Sequence, residues 1–294
     1  MTTLLLKIDH LIEGTVVKRP SKFIKTPYVA DIIPLDSTSG TMLGHTASLG
    51  CCGLADVGAT VLMAPVNSKP KDLNKLKNKE KLSCEYRVYL SVLLDRGKEI
   101  VIGIHPKLAE DLTEAALTNN MLSRLQNIKQ YKREMKMYVE GKVDSRFDFA
   151  GIDCNNIPFI MEVKNVPLAD YEDISAKDKK AKCCDYNDRS IDSKVAYFPD
   201  GYRKKSADPV SPRALKHIRE LTLIKRESKT RCIMCYVIQR TDVDRFQPSI
   251  IDPEYRDAVK IATESGVEII TLVVNWTKQG DAYFVRDDLP ITPF

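Results

Sequence analysis

SRFDFAGIDCNNIPFIMEVKNV, residues 145–166, decides how the chain is read. Phe159, Ile160, Met161 and Val163 read as a buried β-strand. Residues 146–152 read as a second strand, joined to the first by a turn at Asp153-Cys154-Asn155-Asn156. Into these apolar runs are set Asp148, Glu162 and Lys164. Side chains alternate along a strand, so Glu162 and Lys164 leave one face while Val163 points to the other. Thirteen residues separate the two acids, room enough for a hairpin that brings Asp148 near Glu162. Buried carboxylates without partners are costly, and two close together repel. Lys164 offsets one charge. A divalent cation offsets both, and oxygen ligands favour Mg2+ or Mn2+ over zinc. Such a site predicts phosphodiester hydrolysis, with Asp148 and Glu162 as metal ligands and Lys164 orienting or activating the attacking water. The same residues also fit a plain ion pair at a sheet margin, Glu162 or Asp148 with Lys164 or Arg146, and spacing alone leaves both readings open.

Working outward, the flanks build an α/β unit. Residues 99–104 read as a strand, and Pro106 opens a helix to about Gln126, with Leu108, Leu112, Ala115, Ala116, Leu122 and Leu125 along one side. The polar stretch 169–210 reads as a long loop or insertion. Ser211 followed by Pro212 predicts a helix with Ser as N-cap and Pro in its first turn. Residues 230–239 are almost entirely apolar and suit the middle of a sheet covered on both faces. Asp252-Pro253 starts another helix that stops at Gly266, and 267–274 is a final apolar strand. The order predicts an α/β domain with a mixed central sheet over 98–294. The first third differs. Segments 15–24, 28–35, 41–47, 59–64 and 86–94 read as five short strands separated by Pro, Gly, Ser or Lys. They predict a small N-terminal OB-like β-barrel over 1–97, an architecture that often binds single strands or oligosaccharides.

Bulk composition narrows the class. The chain has 294 residues, 43% hydrophobic and 29% charged, as ordinary globular proteins do. The absence of a run of about 18 apolar residues argues against a membrane-spanning helix, and the first residues do not read as a secretory signal. A cytoplasmic or nuclear location is the expectation. The net charge is +5. Basic clusters at 69–81 (six Lys against two acids), 177–182, 203–205 and 216–231 suit either a phosphate backbone or a solvated surface. Of eight Cys, Cys232 and Cys235 form a CxxC inside an apolar strand, and Cys51-Cys52 and Cys183-Cys184 are adjacent pairs. Neither arrangement suits zinc, and the thiols read as core or incidental.

The acids and lysine at 148, 162 and 164 follow the PD-(D/E)xK nuclease pattern, and longer blocks are more specific. SRFDF (145–149), FIMEVKNVPL (159–168), AYFPD (196–200) with RALKHIREL (213–221), and VIQRTDVDRFQPSIIDPEY (237–255) resemble the sugar fermentation stimulation protein A family of bacteria and archaea. The resemblance implies an OB-type domain, a restriction-endonuclease-like domain, DNA binding and a metal-dependent nuclease site. Carried onto this chain, it implies Asp148 and Glu162 as metal ligands and Lys164 as the catalytic lysine, with Glu114 a further acid. It assigns His217 and Gln239 to phosphate contact or site support. Arg146, Arg213 and Arg240, in the same blocks, complete the expected nucleic-acid-binding set. GHTASLGCC (44–52) departs from the family's loop, keeping His45 and Gly50, and Pro167 replaces a Thr. The segments at 69–81 and 169–210 are longer than the family's.

These readings lead to a Mg2+- or Mn2+-dependent DNA nuclease. The alternative is a non-catalytic DNA-binding regulator, and a weaker third is carbohydrate binding by the barrel through Phe23 and Tyr28. Monomer and homodimer both stay open.

Overall fold

The structure is a computed structural model that describes residues 3–35, 40–46, 53–66, 83–182, 185–199 and 208–294. The lysine-rich stretch 69–81, the basic run 203–205, the cysteine pairs at 51–52 and 183–184, and Gly50 lie outside the described residues.

Strand β1 (Leu4–Lys7) precedes six strands of a separate sheet: β2 (Ile12–Lys18), β3 (Val29–Pro34), β4 (Met42–Thr46), β5 (Thr60–Pro65), β6 (Tyr86–Asp95) and β7 (Lys98–Gly103). Their order is β4-β3-β2-β5-β6-β7, and parallel pairing of β4 with β6 closes β2 to β6 into a five-stranded, OB-like barrel. Val16, Ile32, Val61, Met63 and Val88 fill it. Strand β7, whose residues the sequence groups with the second domain, is the end strand of the barrel sheet. Asp95 pairs with Lys98 across Arg96 and Gly97, whose φ angles of 47° and 84° form a tight hairpin turn. The hairpin keeps β7 on the barrel sheet rather than opening the next domain.

The remaining elements are α1 (Lys107–Thr118), β8 (Gln130–Val139), β9 (Val143–Ile152), β10 (Pro158–Val166), β11 (Ala169–Asp170), α2 (Ala176–Lys182), β12 (Lys194–Phe198), α3 (Pro212–Glu227), β13 (Arg231–Ile238), β14 (Val243–Pro248), α4 (Pro253–Glu264), β15 (Glu268–Trp276) and β16 (Asp281–Arg286). A seven-stranded mixed sheet runs β1-β16-β15-β13-β10-β9-β8. One core packs its Ile160, Met234, Tyr236 and Ile238 against α3 and α4. The opposite core packs Phe159, Met161, Ile233 and Val237 against α1. Alternation along β13 explains why its apolar run is unbroken, since both faces are covered. The same alternation puts Cys232 in one core and Cys235 in the other, so the CxxC cannot grip one ion. Burial pushes both thiols up to about 12.

Three features depart from the sequence reading. Helix α1 ends at Thr118, not near Gln126, because Asn120 adopts a left-handed φ of 53° that Asn tolerates. Leu122 and Leu125 are buried all the same, from the loop that follows. Strand β8, QYKREMKMYV, is an edge strand with a charged, exposed surface, which hid its apolar pattern. Within the stretch expected as loop, KVAYF forms β12, which pairs with β11 and β14 in a second small sheet.

The barrel docks on the large sheet through a polar knot. The Trp276 indole N–H donates to Gln239 Oε1 at 2.7 Å, and Gln239 Nε2 donates to Asn165 Oδ1 at 2.7 Å. Gly103 lies against them, and a Cβ there would stand 2.3 Å from Gln239 Oε1. Only glycine permits this approach.

Candidate metal and phosphodiester site

Strands β9 and β10 pair from Ile152–Pro158 to Phe149–Met161 and then part. The parting follows from β9 itself. Phe147 packs in the α3-side core and Phe149 in the α1-side core, so the regular alternation breaks at Asp148. Beyond the fork the Val163 N–H has no β9 carbonyl, and Asp148 Oδ2 accepts it at 2.6 Å. The opening leaves a cleft of ≈ 270 Å³, lined by Asp148, Glu162, Lys164 and Asn165 from the strands, Pro106 and Glu110 from the start of α1, and Arg213 from α3.

Glu162 is 2% exposed. Its Oε1 accepts from Lys164 Nζ and from His217 Nδ1, on α3. A carboxylate only accepts, so His217 carries its proton on Nδ1. Both donors sit on Oε1. The other oxygen, Oε2, is buried without a hydrogen-bond partner. Burial alone raises the Glu162 carboxyl, but the Lys164 charge and the His217 hydrogen bond outweigh it and hold the group below its ordinary value. Asp148 is the opposite case. Burial first and the Glu162 charge second push it up to about 7, against the weaker pull of Lys164 and the Val163 N–H; Glu110 adds a further upward push.

Two acids in one cleft, one of them ionised with a bare buried oxygen and the other held half-neutral by burial and then by its neighbour's charge, have the donor chemistry of a hard divalent cation. Among the described residues no three His, Cys, Asp or Glu side chains converge as a complete metal cage. An ion of the Mg2+ type does not need one, because it keeps several waters and takes one or two carboxylates.

The other expected site residues distribute unevenly. Arg213 is exposed on the first turn of α3, lines the cleft, and has no acidic partner among the described residues. His217 supports Glu162. Gln239 is fully buried, so it supports the site through Asn165 and does not meet a ligand. Arg240, 2% exposed, is locked to Asp242 by two bonds of 2.6 Å and cannot contact nucleic acid. Arg146 is exposed and pairs with Glu134 at 3.0 Å, outside the cleft lining. Glu114 also stays out. It accepts from Tyr131 Oη at 3.0 Å and Arg133 at 2.8 Å. Glu110, one helical turn earlier, is the α1 acid in the cleft. Residues four apart share a helix face, so the sequence signal was the same for both. What separates them is that the first turn of α1 faces the fork.

His217→Ala is expected to cost about 1–3 kcal/mol, because a buried carboxylate loses one of its two donors. His217→Asn, whose Nδ2 sits where Nδ1 did, should recover much of it. Denaturant titration of the two variants at neutral pH checks this, and equal stabilities would contradict the assigned bond.

Comparison with known proteins agrees with this architecture. The family profile described as "Sugar fermentation stimulation protein RE domain" matches residues 107–176 and 181–280. A sugar fermentation stimulation protein homolog of Jannaschia sp. is 29% identical over 285 residues, covering 96% of this chain and 95% of the relative. One from Ruegeria sp. is 27% identical, covering 95% and 97%. The structure of Pyrococcus furiosus SfsA in complex with Ca2+ superposes with a TM-score of 0.70 at 18% identity, covering 99% of this chain and all of that one. The profile spans more than half of the chain, which therefore belongs to the sugar fermentation stimulation protein family.

Proposed function

We propose that the protein is a divalent-cation-dependent phosphodiesterase that cleaves DNA. The observation that carries this reading is the bare, buried Oε2 of Glu162, beside Asp148 and Lys164 in one cleft. Asp148 and Glu162 are the residues that would hold Mg2+ or Mn2+, and the Ca2+ complex of the Pyrococcus relative supports a divalent ion. When bound, such an ion neutralises charge on a phosphate and acidifies a bound water. The chain's own residues do the rest. Lys164 is anchored by Glu162 Oε1, 12% exposed, and placed to orient the attacking water. Arg213 binds phosphate at the rim. Glu110 and Asp148 make the metal-free cleft unfavourable to phosphate. The OB-like barrel beside the cleft supports a nucleic-acid substrate.

Cleavage of single- and double-stranded DNA with Mg2+ or Mn2+ tests the proposal. Activity should vanish with chelator and fall at least about 100-fold in Glu162→Ala and Lys164→Ala. DNA affinity without metal-dependent cleavage would leave the non-catalytic regulator in its place.

Metal affinity carries a pH signature. A proton on Asp148 competes with the ion, and its pKa stands near 7 instead of 3.8. Affinity for Mn2+ should rise about tenfold per pH unit from pH 5 to 6.5 and level off above about pH 7.5. Calorimetric titration across that range checks it, and a flat profile would contradict it.

A further inference from the structure

The outer face of the barrel carries a second polar cluster. His45 of β4 and Arg87 of β6 are register partners. Arg87 points away from Val88, which fills the barrel core, and a bulge at Tyr89 turns Tyr89 and Leu90 to the outer side of β6, against the α1-side core. The His105 ring lies 5.2 Å from the Tyr89 ring, and the Tyr28 ring stacks on His45 at 6.4 Å. Three nitrogens here are buried without a hydrogen-bond partner: His45 Nδ1, Arg87 Nε and His105 Nδ1. Buried polar atoms are nearly always paired, so several orphans in one place ask for a missing partner. Arg87 Nε only donates, each histidine Nδ1 donates in one tautomer, and among the described residues no carboxylate bonds to Arg87, so one anionic acceptor would satisfy all three.

We propose that Arg87, His45 and His105 form a subsite for one phosphate of a nucleic-acid strand, next to the cleft. His105 directly precedes Pro106, which lines the cleft, so a strand seated on the cluster continues toward Asp148 and Glu162. Tyr28, 40% exposed, offers a stacking surface for a base at the outer end. The electrostatics agree. Burial and the Arg87 charge lower His45, and burial, Arg87 and His45 together lower His105 to about 4, with Asp111 opposing and Lys107 adding slightly. An anion would relieve this crowding.

The subsite deepens the nuclease reading, and it is tested separately from cleavage on metal-free full-length protein. The chain has four histidines, so their ring signals are assignable by substitution. The ring resonances of His45 and His105 are followed by NMR across pH with inorganic phosphate, with thymidine tetranucleotide, and with the same tetranucleotide carrying a 5′-phosphate. The expected result is a rise of at least about one unit in the His105 pKa with a tetranucleotide, and loss of that rise in Arg87→Gln. Arg87→Gln should also weaken binding about tenfold and lower the salt slope by about one, while Arg87→Lys retains part of both. A response only to the 5′-phosphorylated strand assigns the subsite to a strand end, and an equal response to both assigns it to an internal phosphate. Histidine signals unmoved by every ligand would overturn the subsite, whatever cleavage shows. A shift that persists in an inactive Asp148→Asn variant separates the two sites.

Discussion

Asp148→Asn is expected to make the metal-free protein more stable and to abolish cleavage. The Asp148 carboxyl stands near pH 7 in the fold against 3.8 unfolded. The folded state therefore holds a proton that the unfolded chain has already released. Stability from this group is complete below about pH 4 and is lost as pH rises through 7. Asparagine keeps an acceptor for the Val163 N–H and carries no charge to bury. In chelator the variant should match the parent near pH 4 and exceed it by about 1–3 kcal/mol at pH 8, less than the full shift because the group is partly solvated. Saturating Mn2+ should reverse the order, since the ion stabilises only the chain that binds it. A residue whose removal stabilises the fold while destroying activity is held for function. Chemical denaturation at both pH values, with and without metal, reads all four corners. A variant less stable than the parent at pH 8 in chelator would remove the physical basis of the site.

Arg240→Ala should have the largest effect on stability. Asp242 is completely buried, and Arg240 grips it through the Nε and Nη2 edge of its guanidinium while Nη1 donates to the Pro167 carbonyl at 3.3 Å. Lys194, 4% exposed, bridges Asp242 at 2.6 Å and Asp95 of the barrel at 2.7 Å. Burial alone raises Asp242, and the Arg240 bonds overcome it and hold the carboxyl low. Without Arg240 the buried carboxylate keeps a single cation, at a cost of about 3–5 kcal/mol. A Tm lower by on the order of 10 °C follows. The salt slope of DNA binding should stay unchanged, whereas Arg213→Ala, at the cleft rim, should lower it by about one. Thermal unfolding and salt-dependent binding of both variants separate a buried strut from a phosphate contact. A folded, stable Arg240→Ala protein with weakened DNA affinity would contradict the assignment.

The contrast between these arginines shows what was legible. Strand alternation placed Glu162 and Lys164 together, and Ser211 with Pro212 located α3, whose Ser211 side chain accepts from the Ala214 N–H. Those are local rules, and local rules are visible in a sequence. Arg240 and Arg213 sit in similar charged blocks, and only tertiary packing decides that one is buried and the other exposed. Glu110 and Glu114 share a helix face, and the choice between them depends on where β9 and β10 part. Strand β8 was hidden because an edge strand needs little apolar surface, and β12 because its five residues lie in a charged neighbourhood. The cluster at His45, Arg87 and His105 joins residues from two strands and a connecting loop and leaves no pattern in any one of them.

In the proposed site Asp148 and Glu162 share one divalent ion. Crystals of the protein grown with Mn2+ and measured at the manganese edge test it directly. An anomalous peak is expected in the cleft, about 2.0–2.2 Å from an Asp148 oxygen and from Glu162 Oε2, with water completing the shell. A cleft without a peak at saturating Mn2+, or an ion bound away from both carboxylates, would contradict it.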